Sequence, residues 1–193
     1  MLSDVIINRC WAMPNKNTFS IKPIKELILK YLLPDMVSID PFANSNKMAK
    51  ITNDLDSDFE TDYNMDALDF LKMFEDESVD LIFYDPPYTP RQLSECYKKL
   101  KRSVTASDTS QKTWALFKNE INRILKQGGH VLSFGWNSNG ASQNMSLKKV
   151  EILLVAHGGG KNDTICTVEF KPFVTQGNLF ARQDAEPQAD NCI

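Results

Sequence analysis

Residues 79–88, Val79-Asp80-Leu81-Ile82-Phe83-Tyr84-Asp85-Pro86-Pro87-Tyr88, run from an apolar stretch straight into an acid, two prolines and a phenol. The apolar part is short and rich in branched and aromatic side chains, so it reads as a buried strand with Asp85 at its exit. Two successive prolines remove two backbone donors and fix φ, which keeps the local carbonyls out of any ladder or helix. Those carbonyls are left for a ligand. A carboxylate, a rigid carbonyl and a ring face at one strand end suit a flat nitrogenous base with an exocyclic amine. Asp85 and the Asp85 or Pro86 carbonyl can accept the two amine protons while Tyr88 stacks on the ring. Methyl transfer to an amino group is the chemistry this suggests.

The same strand-then-acid pattern recurs upstream. Ile24, Leu27, Ile28, Tyr31 and Leu32 fall at helical spacing between Pro23 and Pro34, predicting a helix over 24–33. Residues 36–40 read as a strand ending in Asp40, followed by Pro41-Phe42-Ala43-Asn44-Ser45 as a turn into a short helix. Residues 50–52 form a second strand that exits into Asn53-Asp54, and Tyr63-Asn64-Met65-Asp66 leads into a helix carrying Ala67, Leu68, Leu71 and Phe74. Strands alternating with helices, each with a polar residue at its carboxyl end, indicate an α/β fold with a doubly wound, mostly parallel sheet. Ligands bind outside those carboxyl ends.

Residues 89–112 lack a period and read as a loop, with room for one helix over 92–100. Trp114, Phe117, Ile121 and Ile124 restore helical spacing, with Gly128-Gly129 as the cap and 130–134 as the next strand. Residues 150–156 and 164–170, joined by a Gly- and Asn-containing segment, predict a C-terminal antiparallel hairpin. Residues 1–175 therefore read as a single domain and 176–193 as a flexible polar tail.

At 193 residues, 42% hydrophobic and 24% charged, the chain has the composition of a soluble globular domain, and its longest apolar run, 152–156, is too short for a membrane span. Met1-Leu2-Ser3-Asp4 shows no secretory pattern, so a cytoplasmic location is expected. Cys10, Cys96, Cys166 and Cys192 are widely spaced and read as free thiols, and with only His130 and His157 no metal site is expected. Lys98, Lys99, Lys101 and Arg102 form a basic cluster after the proline corner, suited to nucleic-acid phosphates or to a solvated helix face.

The order of these motifs resembles the S-adenosylmethionine-dependent amino-methyltransferases of DNA, most closely the short adenine-specific methylases of bacteriophages and prophages, over roughly residues 8–171. The resemblance implies a Rossmann-like methyltransferase sheet without a separate target-recognition domain, acting on DNA in a bacterial or phage-infected cell. It carries the catalytic role onto Asp85, Pro86, Pro87 and Tyr88. It implies S-adenosylmethionine as cofactor, held by Asp40, Pro41, Phe42 and Ala43 at the methionine end and on the adenosine. Asp54 (or Asn53) would take the ribose, Asp66 and Ala67 the adenine, with Asp85 nearby and Phe19 and Lys22 belonging to an additional upstream cofactor motif, residues 17–23 from Asn17-Thr18 to Pro23, near the methionine end. Asn44 and Asn46 stand where the commoner pattern has glycines.

The same residues leave open a cytosine N4 or an RNA adenine acceptor, or a non-catalytic binding module. An aspartate rather than a serine at position 85 favours adenine by the resemblance. A chain without its own reader has a reason to pair with a second copy. Trp136 and Asn137, after the 130–134 strand, would stand near substrate or cofactor or else support the fold, and the His157 segment reads as a plain hairpin loop.

Overall fold

The computed structural model describes residues 4–87, 111–142, 146–160 and 162–174. Tyr88, the basic cluster at 98–102, the expected 92–100 helix and the tail from 176 lie outside them. The strands are β1 (Ile6–Trp11), β2 (Ser38–Asp40), β3 (Ile51–Thr52), β4 (Val79–Tyr84), β5 (Leu125–Gly135), β6 (Lys148–Ala156) and β7 (Thr164–Phe170). The helices are α1 (Lys22–Tyr31), α2 (Ala67–Lys72) and α3 (Gln111–Ile124), with a 3-10 turn at Thr18–Ser20.

The strands form one seven-stranded sheet in the order β1-β6-β7-β5-β4-β2-β3. Every pairing is parallel except those of β7, which is antiparallel to both β5 and β6. The expected hairpin is therefore β6–β7, folded so that its second strand enters the sheet. A further parallel bridge joins Asn53 to Tyr63, so the chain leading to Asp66 also runs toward the carboxyl edge.

Period-two alternation on β4 explains why the sheet is covered twice. Leu81 and Phe83 pack with Ile24, Leu27 and Ile28 of α1, whereas Ile82 and Tyr84 pack with Phe70 and Leu71 of α2 and Phe117, Ile121 and Ile124 of α3. Full burial of each such side chain stabilises the fold by about 1.5–3 kcal/mol.

Three expectations need correction. Residues 6–11 form a strand that the sequence did not announce, because an edge strand with an exposed pattern carries no burial periodicity. No helix follows Asp40; residues 41–50 are turns, since carboxylates and amides of Asp40, Asn44, Asn46 and Asp54 take the backbone N–H groups and Asn44 adopts φ 53°. Gly128-Gly129 does not cap α3, because β5 begins at Leu125 and the ladder with β4 shifts register between Leu125 and His130. Gly128, at φ 80°, serves this irregularity, donating to the Lys171 carbonyl at 2.7 Å.

Candidate active site

The sheet order reverses at β2: the chain goes from β2 to β3 on one side and returns to β4 on the other. A crevice at the carboxyl ends of β2 and β4 is the expected ligand site of such a sheet. Asp40 ends β2 and Asp85 follows β4, and the two are close enough for the charge of Asp85 to act on Asp40.

Asp40 is completely buried. Its Oδ1 accepts from the Phe42 N–H at 3.0 Å and its Oδ2 from Asn46 Nδ2 at 3.3 Å. Loss of hydration nevertheless pushes its pKa up to about 8, and the charges of Asp85 and Asp54 add to the rise. Asp85 retains some contact with solvent, yet protein surrounds its carboxyl group closely enough that desolvation pushes it up to about 7, against a hydrogen bond from the Thr18 side chain. Among the described residues, neither acid has an ion-pair partner.

The remaining acids brace the loops around this pair. Asp54 accepts from Asn44 N at 2.8 Å and Asp56 N at 2.9 Å, and desolvation raises its pKa. Asp66 caps α2, its Oδ1 accepting from Leu68 N at 2.9 Å and Asp69 N at 3.4 Å, so both bonds fall on a single oxygen. Ala67 is buried at the first helical position behind it.

Asn53, the alternative to Asp54, is wholly buried and spent internally. Its Nδ2 donates to the Pro41 and Met65 carbonyls, both at 3.1 Å, and its Oδ1 accepts from Met65 N at 3.1 Å. This amide ties the loop after β2 to the loop before α2.

Pro41 and Ala43 are buried in the same turn, and Phe42 is half-buried against Tyr84 and Phe117, with ring centroids 6.2 and 5.8 Å apart. Pro86 is buried and Pro87 half-buried. Two of the upstream residues are not brought into the crevice. Phe19 is a core side chain, 5.5 Å from the Phe83 ring and 4.6 Å from that of Phe134. Lys22 stands on the exposed face of α1, its side chain 87% exposed and 3.9 Å from Glu26.

Two side chains that bond to these acids had no individual role in the sequence, Thr18 standing only within the upstream 17–23 motif. Thr18 bonds to Asp85, and it is Phe19, anchored on Phe83 and Phe134, that fixes the turn presenting it. Asn46, read only as a missing glycine, donates to Asp40. His157 is also more than loop: buried, its ring contacts the Ala12 carbonyl and Thr164 Oγ1, each at 2.8 Å, and locks the carboxyl end of β1 to the β6–β7 hairpin.

The architecture is that of solved methyltransferases. TrmN from Thermus thermophilus superposes with a TM-score of 0.52 at 16% identity, over 78% of this chain and 49% of that one. A SAM-dependent methyltransferase from Methanosarcina mazei does so with a TM-score of 0.51 at 11% identity, over 77% of this chain and 98% of that one. The chain thus spans about half the length of TrmN. No protein-family model matches the sequence, and neither does any curated protein.

Proposed function

We propose that this methyltransferase-fold protein is a DNA adenine N6-methyltransferase, taking its methyl group from S-adenosylmethionine and acting on a base flipped out of the helix. The observation that carries the reading is the pair Asp40 and Asp85, two desolvated acids at the switch point of the sheet with no cation among the described residues to neutralise them. S-adenosylmethionine fits this environment: it brings an ammonium to Asp40, whose burial is offset by no counter-charge among the described residues, and its sulfonium supplies an electrophilic methyl group. Asp40 would hold the methionine ammonium, Phe42 would pack on the adenosine, Asp54 would take the ribose, and Asp66, through the carboxylate oxygen not used in capping, the adenine.

Asp85 would act on the acceptor. The amine of adenine is a poor nucleophile because its lone pair is delocalised into the ring. Hydrogen bonds from both amine protons, one to Asp85 and one to the Asp85 or Pro86 carbonyl, favour a pyramidal nitrogen whose lone pair is free to attack. As the new carbon–nitrogen bond forms the amine becomes acidic, and a carboxylate with a pKa of about 7 can take the departing proton. Flipping the base costs a few kcal/mol. Stacking on Tyr88, worth roughly 1–3 kcal/mol, would offset part of that.

The test is direct. The protein is incubated with methyl-labelled S-adenosylmethionine and unmethylated DNA, and the product is digested to nucleosides. Label in N6-methyladenine supports the reading, label in N4-methylcytosine or only in an RNA substrate moves the acceptor, and no label in any of them refutes the enzyme.

A further inference from the structure

We propose that Trp136 is a stacking platform for a nucleobase next to the target base on the acceptor DNA strand, an assignment that rests on the reading of Asp85 as the acceptor residue. The pairing of β4 with β5 runs Ile82 beside Val131, Phe83 beside Leu132 and Tyr84 beside Ser133. The ladder runs as far as Tyr84 and Ser133; Asp85 leaves β4 one residue beyond it and Trp136 follows the end of β5 at Gly135, both at the carboxyl edge of neighbouring strands. Trp136 therefore lies at the same edge as the proline corner, on the β5 side. Asp40, Asp54 and Asp66, which would hold the cofactor, belong to the β2 and β3 side. With the donor side taken, the acceptor strand approaches from the side where the indole stands.

Trp136 is 48% exposed, although the loop that bears it is firmly held. Asn137 Oδ1 accepts from Asn139 N at 3.0 Å, and the Lys149 ammonium donates to the Ser138 carbonyl. Glu169, only 1% exposed, accepts from Ala141 N at 2.6 Å and Ser142 N at 3.2 Å. Gly140, at φ 69°, lies so close that a Cβ there would fall 2.2 Å from the Glu169 carboxylate. A buried carboxylate committed to fixing a loop whose aromatic side chain faces water is the combination a rigid stacking surface requires.

The experiment compares the wild-type chain with Trp136→Phe and Trp136→Leu. Two fluorescently labelled single-stranded DNA oligonucleotides are used, one holding a single adenine between thymines and the other the same adenine between abasic sugars. Wild type is expected to bind the first more tightly by about 5- to 100-fold, the effect of one stacked base. Trp136→Leu should lose that preference, Trp136→Phe should keep most of it, and both should bind S-adenosylmethionine as wild type does by calorimetry. The assignment is overturned if wild type binds both oligonucleotides equally, if Trp136→Leu keeps the preference, or if Trp136→Phe loses it while its melting and cofactor binding are unchanged. Should Trp136→Leu fail to fold, the wild-type comparison and the Phe variant decide. Stacking preference without methyl transfer would refute the proposed reaction and leave Trp136 in place. Methyl transfer without the preference would refute Trp136 alone.

Discussion

Two acids toward the amino ends of this sheet and two at its carboxyl ends are held in opposite ways. Toward the amino ends, Asp80 on β4 is met by Lys126 at 2.8 Å and by the Val37 N–H at 2.8 Å, and Glu151 on β6 by Lys30 at 2.6 Å and the Tyr31 hydroxyl at 2.7 Å. Desolvation would raise both, but these partners outweigh it and hold both carboxyls below the ordinary range. At the carboxyl ends, Asp40 and Asp85 are desolvated without a counter-charge among the described residues and are pushed up to about 8 and about 7. Burial also raises Glu169, but its Oε2 is taken up by the Ala141 and Ser142 N–H groups of a structural loop, whereas Asp40 and Asp85 stand at the switch point, where a sheet of this kind binds its ligand.

The strongest attempt to break this contrast is at Asp85. Asp85→Ala should lower the rate of methyl transfer by at least about 100-fold, the usual effect of deleting one group aimed at the transition state. Affinity for S-adenosylmethionine, followed by calorimetry, should stay close to wild type. An active Asp85→Ala protein would remove the acid from the chemistry.

Asp40 comes next. Asp40→Asn should weaken S-adenosylmethionine binding by about 10- to 100-fold, the scale of a lost charge-assisted hydrogen bond. It should also alter the pH profile of stability. An acid whose folded pKa lies above its unfolded value keeps its proton in the fold after the unfolded chain has lost it. Stability therefore falls as pH rises from about 4, where unfolded carboxyls titrate, to about 8, where Asp40 titrates in the fold. Thermal melts of the cofactor-free protein across that window should show a shallower fall for Asp40→Asn, and identical slopes would mean that Asp40 is not held protonated.

How far these features were legible depends on the kind of signal each leaves. Asp40, Asp54 and Asp85 were readable because each follows a strand, and Asp66 because it precedes an apolar helical pattern, one-dimensional marks of a three-dimensional edge. Thr18 was legible only as a member of the upstream 17–23 motif, because its bond to Asp85 rests on Phe19 docking between Phe83 and Phe134, more than sixty residues away. Phe19 and Lys22 show the reverse error: a motif marks a segment, but the phenyl ring went to the core and the ammonium to solvent. β1 was silent, since an exposed edge strand has neither alternation nor burial to display.

The amino-end partners offer a control that should disturb folding and leave chemistry alone. Lys30→Met removes the cation beside Glu151, whose side chain is only 6% exposed, while Tyr31 and Asn8 still donate to it. Because the Lys30 side chain is itself 51% exposed, the loss of stability should be modest, about 1–2 kcal/mol by denaturant titration. Methyl transfer per folded molecule should be unchanged, and a matching fall in rate would mean that the two ends of the sheet are not separable.

The finest distinction lies within the carboxyl end itself, at Thr18. Its hydroxyl is the described group that favours the ionised form of Asp85, against desolvation. If Asp85 must be ionised to accept the amine protons, activity should rise with pH through about 7 and be lost below it. Thr18→Val removes the donor with little change in volume, so the midpoint should move upward while the plateau rate falls by no more than several-fold; Thr18→Ser, which keeps the hydroxyl, should restore the wild-type midpoint. A packing defect would lower the whole profile without displacing it. A displaced midpoint that serine corrects would separate the two, because only the proton equilibrium of Asp85 links that hydroxyl to pH.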